Sequence, residues 1–251
     1  MTALRTLAFG DGSVWGASWS SGSAGAAVTV VGAGPQTTIL PDVHLPDGDA
    51  AAADEWRLEG EDLAVLVSPA GELVDVQAAD DGVAGSDQLC RVTGRFAAHD
   101  VDCLGLRSWW SDSLDLARFE SVRSAAVWFD PAEGFALTAF RPRKAKAHKD
   151  DVTAAAVITA DVSAPVEDPR LSTTYGADGW PTRAGLELWL AAVGEADAKE
   201  EPQQYSRRAS GEAIGARAQA AAGELELRAQ PFRWHSRGKQ GAGMYLLAHR
   251  R

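Results

Sequence analysis

Apolar residues in this chain fall in short runs: "AAVTVVG" at 26–32, "LAVLVS" at 63–68, "SAAVWF" at 124–129, "FALTAF" at 135–140 and "AAAVITADV" at 154–162. Runs of this length, rich in β-branched and aromatic residues, are strand-forming. Between them stand clusters of Gly, Pro and Asp: "FGDGS" (9–13), "GAGP" (32–35), "LPDG" (45–48), "EGED" (59–62), "SPAGE" (68–72), "DDG" (80–82), "DPAEG" (130–134) and "YGADGW" (175–180). Closely spaced turn residues between short strands predict antiparallel hairpins in a barrel or sandwich. "SAAVWFDPAEGFALTAF" is the clearest hairpin and "STTYGADGWPTRAGLELWL" the next.

Two stretches depart from this pattern. "SWWSDSLDLARFESVRS" has Leu114, Phe119 and Val122 at partly helical spacing, with Ser111 or Ser113 available as a cap. A loop with a helical turn is expected there. "ASGEAIGARAQAAAGELEL" is alanine-rich, which by propensity alone favours helix. Gly211, Gly215 and Gly223 interrupt it, however, and "ELELRAQPFRW" alternates with period two, so hairpin strands are expected. The polar segment "GEADAKEEPQQYSRR" (194–208) reads as an exposed loop.

Composition narrows the class. The chain has 251 residues, 45% hydrophobic and 24% charged, enough apolar material for a packed core. A formal net charge of −11 opposes binding to nucleic acid and to anionic membrane surfaces. Neither a signal peptide nor an apolar run long enough for a membrane span is visible. Two cysteines, Cys90 and Cys103, are too few for a metal or disulfide framework and read as reduced thiols in a cytoplasmic protein.

The adjacent tryptophans of "GLRSWWSDS" (105–113) carry the main candidate chemistry. On a strand, Arg107, Trp109 and Ser111 share one face, and Leu106, Ser108, Trp110 and Asp112 the other. Both indoles are covered only if both faces are covered, which places this strand at a junction between two β halves, where ligand pockets tend to form. Trp109 and Trp110 could then wall a pocket for an apolar or π-rich ligand and attract a developing positive centre. Arg107 could anchor a carboxylate or enolate. Asp112, Asp102 or Glu120 could serve as a general acid where burial raises its pKa. The competing reading is core packing, with Arg107 paired to Asp112 or Glu120.

The "RSW" within "GLRSWW" resembles the glycine, basic residue, Ser-Trp signature of lipocalin-like two-barrel proteins related to hydroxyneurosporene synthase (carotenoid 1,2-hydratase). The C-terminal pattern is similar to theirs too, from "AGLELWL" through "RRASGEAIG" to "PFRWHSRGKQGAGMYLL". The resemblance spans about residues 90–251. It implies two β-barrel-like halves with an apolar pocket between them, and hydratase or cyclisation chemistry on polyene- or terpenoid-like substrates.

Other features carry less. Trp15 and Trp19 share a face; with Trp128, Trp189 and Trp234 they read as core aromatics or further pocket walls, and exposed indoles would suit sugar stacking. None of the five histidines pairs with His or Cys at metal spacing; His99 with Asp100 and Asp102 is the one local His–carboxylate cluster, and His235 follows Trp234. Nucleophile-elbow and phosphate-loop motifs are lacking; "GKQGAG" has no following helix, and its glycines suit tight strand curvature. The basic run "RPRKAKAHK" (141–149) reads as a hairpin end facing water, partly neutralised by Asp150 and Asp151, or as a contact for an acidic partner.

The expectation is therefore an all-β, antiparallel protein of two associated lipocalin-like halves, 1–100 and 101–251. It binds an apolar small molecule between them, with no cofactor and no metal. Arg107, Ser108, Trp109, Trp110, Trp128 and Trp234 are the ligand-binding candidates, and Asp112 and Glu120 the acids. The alternative is a non-catalytic interaction module using an edge strand or the basic run. Oligomeric state is open.

Overall fold

The computed structural model describes residues 4–22, 26–46, 55–78, 82–111, 113–159, 163–190 and 205–251. Two antiparallel sheets account for nearly all of it. The first contains β1 (Leu4–Gly10), β2 (Val14–Ser21), β3 (Ala26–Ala33), β4 (Gln36–Leu40), β5 (Trp56–Glu59), β6 (Leu63–Gln77), β7 (Ala84–Phe96) and β8 (His99–Trp110). A single 3-10 turn, Leu116–Arg118, capped by the Asp115 carboxylate on the Ala117 N–H, links it to the second. That sheet contains β9 (Phe119–Asp130), β10 (Glu133–Pro142), β11 (Val152–Thr159), β12 (Ser163–Pro165), β13 (Asp168–Tyr175), β14 (Pro181–Leu190), β15 (Tyr205–Ala213), β16 (Ala218–Ala222), β17 (Leu225–Ser236) and β18 (Lys239–Arg250).

The two sheets repeat one plan. Strand order is β4-β3-β2-β1-β8-β7-β6-β5 in the first and β12-β11-β10-β9-β18-β17-β15-β14-β13 in the second, with β16 also on β17. In each, the first strand pairs with the last, so the sheet curls into a half-barrel. Each also closes its last hairpin with a two-residue turn whose first residue has positive φ, Ala97 (φ 50°) and Arg237 (φ 47°). The registers align Gly105 opposite Phe9 with Gly243 opposite Val127. A Cβ on either glycine would fall 2.5 Å from the Ala8 carbonyl or 2.2 Å from the Ala126 carbonyl, so close strand contact requires glycine at both.

Alternation along the strands sends side chains into three cores. Phe9, Trp56, Val67, Cys90 and Val92 fill the first half-barrel. Phe135, Leu188, Phe232, Trp234 and Tyr245 fill the second. A third core lies between the two sheets. Trp15, Trp19 and Trp110 enter it from the first sheet, and Ala126, Ala154, Ala156, Ala220 and Ala229 from the second. Large side chains against small ones reach close packing. This is the physical reason the alanine-rich stretch before Leu225 forms strands: in β16 alternate alanines face the seam.

Two local expectations need correcting. "SPAGE" is no turn; β6 runs through it, and the extra residues between Pro69 and Leu73 are taken up as a bulge against β7. Tyr205–Arg208 belongs to β15 rather than to a loop, because β14 supplies a partner strand; the rest of that polar segment, 194–204, lies outside the described residues. In the second sheet the matching irregularity is the break between β15 and β16. A glutamine bridges each: Gln88 Nε2 donates to the Gly71 carbonyl and Gln230 Nε2 to the Ile214 carbonyl, both at 2.9 Å.

Candidate functional site

Strand pairing builds the site. Across four neighbouring strands, Arg5, Trp109, Ser86 and Asp75 stand in one register row, and Leu7, Arg107, Gln88 and Leu73 in the next. Val74 and Val76 point into the seam, so Asp75 turns to the other face, the concave side of the first half-barrel. Beyond the first row the sheet ends in a mouth. A cleft of about 660 Å³ opens there, lined by Asp75, Gln77, Ser86, Trp109 and Ser111 and bounded on its far side by Pro165–Glu167, at and just after β12 of the second sheet. The cleft therefore lies where the two half-barrels meet.

Its wall is aromatic and its floor cationic. Trp109 is half-buried and packs on the buried Trp56, ring centroids 6.3 Å apart and tilted 59°. Beneath them the Arg107 guanidinium, 1% exposed, lies 5.0 Å from the Trp56 ring and 5.9 Å from Trp109. Gln88 Oε1 accepts from Arg107 Nε at 2.9 Å and Nη2 at 2.6 Å. Both ends of that amide are thus engaged, which fixes the guanidinium plane under the indoles. Arg5 donates to the Pro46 carbonyl beside the mouth. Opposite the indole, Ser86 Oγ donates to Asp75 Oδ1 at 2.7 Å. An aromatic wall, a guanidinium behind it and a solvent-facing carboxylate can hold a flat apolar body and exchange a proton with it.

The structure brings some of the sequence candidates together and separates others. Trp109 and Arg107 belong to this mouth. Trp110 points the other way, into the seam, edge-on to Phe140 at 4.9 Å. Trp128 lies in the same seam, its indole N–H donating to the Gly10 carbonyl at 3.0 Å. Ser108 also faces the seam and donates to Asp87. Trp234 is in the core of the second half-barrel, 5.8 Å from Phe232. Glu120 lines a different cleft, with Arg143, Glu224 and Arg250. Asp112 lies outside the described residues, although its neighbour Ser111 lines the mouth. Asp102 makes a two-point ion pair with Arg91 at 2.7 Å, which holds its carboxyl below the ordinary range, the reverse of what an acid catalyst needs.

The pattern missed Asp75 and Asp87. Asp75 could have been found from "LVDVQ", where alternation opposes it to two buried valines. Asp87 faces the seam, and burial pushes its carboxyl up to about 7 against the lowering effect of the Ser108 hydroxyl. Cys90 and Cys103 are free buried thiols. His235 is exposed on the outer face of β17, with Trp234 on the inner. Arg143, Lys144 and Lys146 of the basic run are exposed, whereas Arg141 turns in toward Asp151 at 3.4 Å. Among the described residues no three His, Cys, Asp or Glu side chains gather as metal ligands would, and no helix is long and apolar enough to cross a membrane.

The architecture is a lipocalin-like two-barrel fold, as comparison with solved structures establishes. A Nitrosomonas europaea protein provisionally assigned as AttH superposes with a TM-score of 0.59 at 12% identity, over 98% of this chain and 92% of that one. Kievitone hydratase from Nectria haematococca superposes with a TM-score of 0.58 at 7% identity, over 99% of this chain and 89% of that one. CghA, solved with Sch210972, gives a TM-score of 0.56 at 11% identity, over 99% and 88%. No family model and no curated protein matches the sequence.

Proposed function

We propose that this protein binds an apolar small molecule, polyene- or terpenoid-like, in the cleft between the first half-barrel's mouth and β12, and acts on it as a hydratase, isomerase or cyclase. The observation that carries the reading is the cleft itself. It is a concave space at the junction of two otherwise filled half-barrels, walled by a half-exposed indole and reached by a carboxylate. The structural neighbours that include a hydratase, and a protein solved with a small molecule, support the same reading.

In this reading the Trp109 face receives the unsaturated body of the ligand and favours positive charge developing on it. Trp56 and Arg107 hold that indole in place. Asp75, in its protonated form, gives its proton to one carbon of the ligand, and the resulting carboxylate takes a proton back from the water that adds or from a neighbouring carbon, while Ser86 keeps the carboxyl group oriented. Asp112 is kept as a proposed second acid on its place in the sequence after Ser111.

Native mass spectrometry of protein purified from its own host, followed by organic extraction, tests the binding. A co-purifying apolar metabolite that is lost in Trp109→Leu supports the cleft as its site. Equal occupancy in Trp109→Leu and wild type refutes it. Asp75→Asn should then retain the metabolite but abolish its conversion.

A further inference from the structure

The structural repeat gives the second half-barrel a mouth of its own. Aligned by strand register, Arg123 of β9 takes the position of Arg5, Tyr245 of β18 that of Arg107, and Leu247 that of Trp109. Where the first mouth is walled by indoles, the second is built of hydroxyls. Tyr245 OH lies 3.0 Å from Thr173 Oγ1 and 3.2 Å from Tyr175 OH. Both tyrosine side chains stand close enough to the Arg123 guanidinium to interact with its charge.

We infer that this mouth is a separate binding site for a small organic oxyanion, a carboxylate of aryl size being the simplest ligand of that class. Three observations carry it. First, donors exceed acceptors. The hydroxyl chain from Tyr175 through Tyr245 to Thr173 has three protons for two internal bonds, so one is left to place. Arg123 is 4% exposed, and its buried Nε has no hydrogen-bond partner among the described residues. Second, Arg123 has no carboxylate to itself, and Asp150 as well as Asp151 bears on the neighbouring Arg141. Arg123 and Arg141 both face the single carboxylate of Asp151, with His148 Nδ1 3.5 Å from it; Arg228 on β17 is matched by Glu226 at 3.0 Å, which also meets His249. Third, the group is reachable. Tyr175 is 37% exposed, and Tyr245 stacks on Phe232 with centroids 5.7 Å apart, so the floor under the hydroxyls is aromatic. An oxyanion bridging Tyr175 and Arg123 would satisfy the surplus donors in a partly dry setting, where charge-assisted hydrogen bonds are strongest.

Benzoate is the probe, titrated into the whole protein with sodium chloride at equal ionic strength as the control. The readouts are the Arg Nε–H and ring-labelled tyrosine NMR signals. The Arg123 and Tyr175 signals should shift saturably with benzoate and not with chloride. Tyr175→Phe removes one hydroxyl from a partly exposed ring and should weaken binding about ten-fold, the worth of one hydrogen bond to a charged group. Trp109→Leu, in the other mouth, should leave benzoate affinity unchanged while abolishing retention of the apolar ligand of the first cleft, so the two sites fail separately. The inference is overturned by the absence of saturable shifts at tens of millimolar, by equal shifts with chloride, by an affinity that ignores Tyr175→Phe, or by loss of binding in Trp109→Leu.

Discussion

Asp87 should make the protein less stable as pH rises toward neutrality, and Asp87→Asn should remove that dependence. The carboxyl is buried in the seam, where burial raises it from its ordinary 3.8 to about 7. Below pH 3.8 folded and unfolded chains both hold the proton, and the group adds no pH dependence. Between that value and about 7 the unfolded chain releases the proton and the folded chain retains it. Stability therefore falls through this window, and above it the full loss persists. At about 1.4 kcal/mol per pH unit, the displacement corresponds to about 4 kcal/mol. Asparagine keeps an oxygen for the Ser108 hydroxyl and cannot ionise. Urea unfolding of both proteins from about pH 4 to pH 8 reads the effect directly. The variant should gain on wild type by about 4 kcal/mol across that range. Exposed carboxylates held low by their partners, such as Asp102 by Arg91 and Asp178 by Arg217, titrate alike in both chains and cancel in the difference. A variant-minus-wild-type difference constant to within about 0.5 kcal/mol over the window would refute a buried neutral carboxyl here.

Three further outcomes are expected. Gly243→Ala should destabilise by about 3 kcal/mol or prevent folding, because the new Cβ meets the Ala126 carbonyl at 2.2 Å and the Trp234 ring nitrogen at 2.7 Å; Gly12→Ala, with nothing within 4 Å but φ +99°, should cost only about 1–2 kcal/mol of backbone strain, and thermal unfolding compares the two. Gln88→Leu takes an acceptor from Arg107 and a donor from the Gly71 carbonyl, so it should lower stability by about 2–3 kcal/mol and red-shift tryptophan emission as water reaches Trp56 and Trp109. Cys90 and Cys103 should resist iodoacetamide in the folded protein and react fully in denaturant, since burial pushes both thiols up, that of Cys103 to about 12; mass spectrometry counts the adducts, and alkylation of the native protein at the rate of a free thiol would contradict the burial.

The strands were legible because their signals are local. Turn residues and short apolar runs mark hairpins wherever the partner strand lies, and "SAAVWFDPAEGFALTAF" pairs as β9 and β10 through the turn its Pro and Gly announce. Even the alanine-rich stretch was readable, since its glycines and the alternation after them oppose a helix. The site was less legible because its neighbours are set by register between strands far apart in sequence. Nothing in "GLRSWW" says which indole meets Trp56 and which meets Phe140. That depends on which sheet face packs on the second half-barrel. Asp75 joins Trp109 only through Ser86, three strands brought into one row. The bulge at Pro69–Leu73 was hidden for a related reason: "SPAGE" has the composition of a turn, and only the continued pairing of Leu73–Gln77 with β7 keeps it within a strand.

The repeat separates positions held by backbone geometry from positions free to vary. Gly105 and Gly243 match because a carbonyl of the partner strand stands where a Cβ would be. Gln88 and Gln230 match because each bridges an irregularity in the neighbouring strand with a side-chain donor. Both half-barrels fill their interiors with their own aromatics, Phe9 and Trp56 in one and Phe135, Phe232 and Trp234 in the other. A ligand is therefore kept out of both interiors, and the seam is closed by indoles set against alanines. At the mouths the correspondence of chemistry breaks down: Trp109 and Arg107 in one stand where Leu247 and Tyr245 stand in the other. Closure of a curled sheet constrains the first set of positions and places no demand on the second. Difference at the mouths, over identity where the strands close, is thus the pattern expected of one scaffold carrying two unlike sites, an aromatic one at the junction and a hydroxyl-lined one in the second half-barrel.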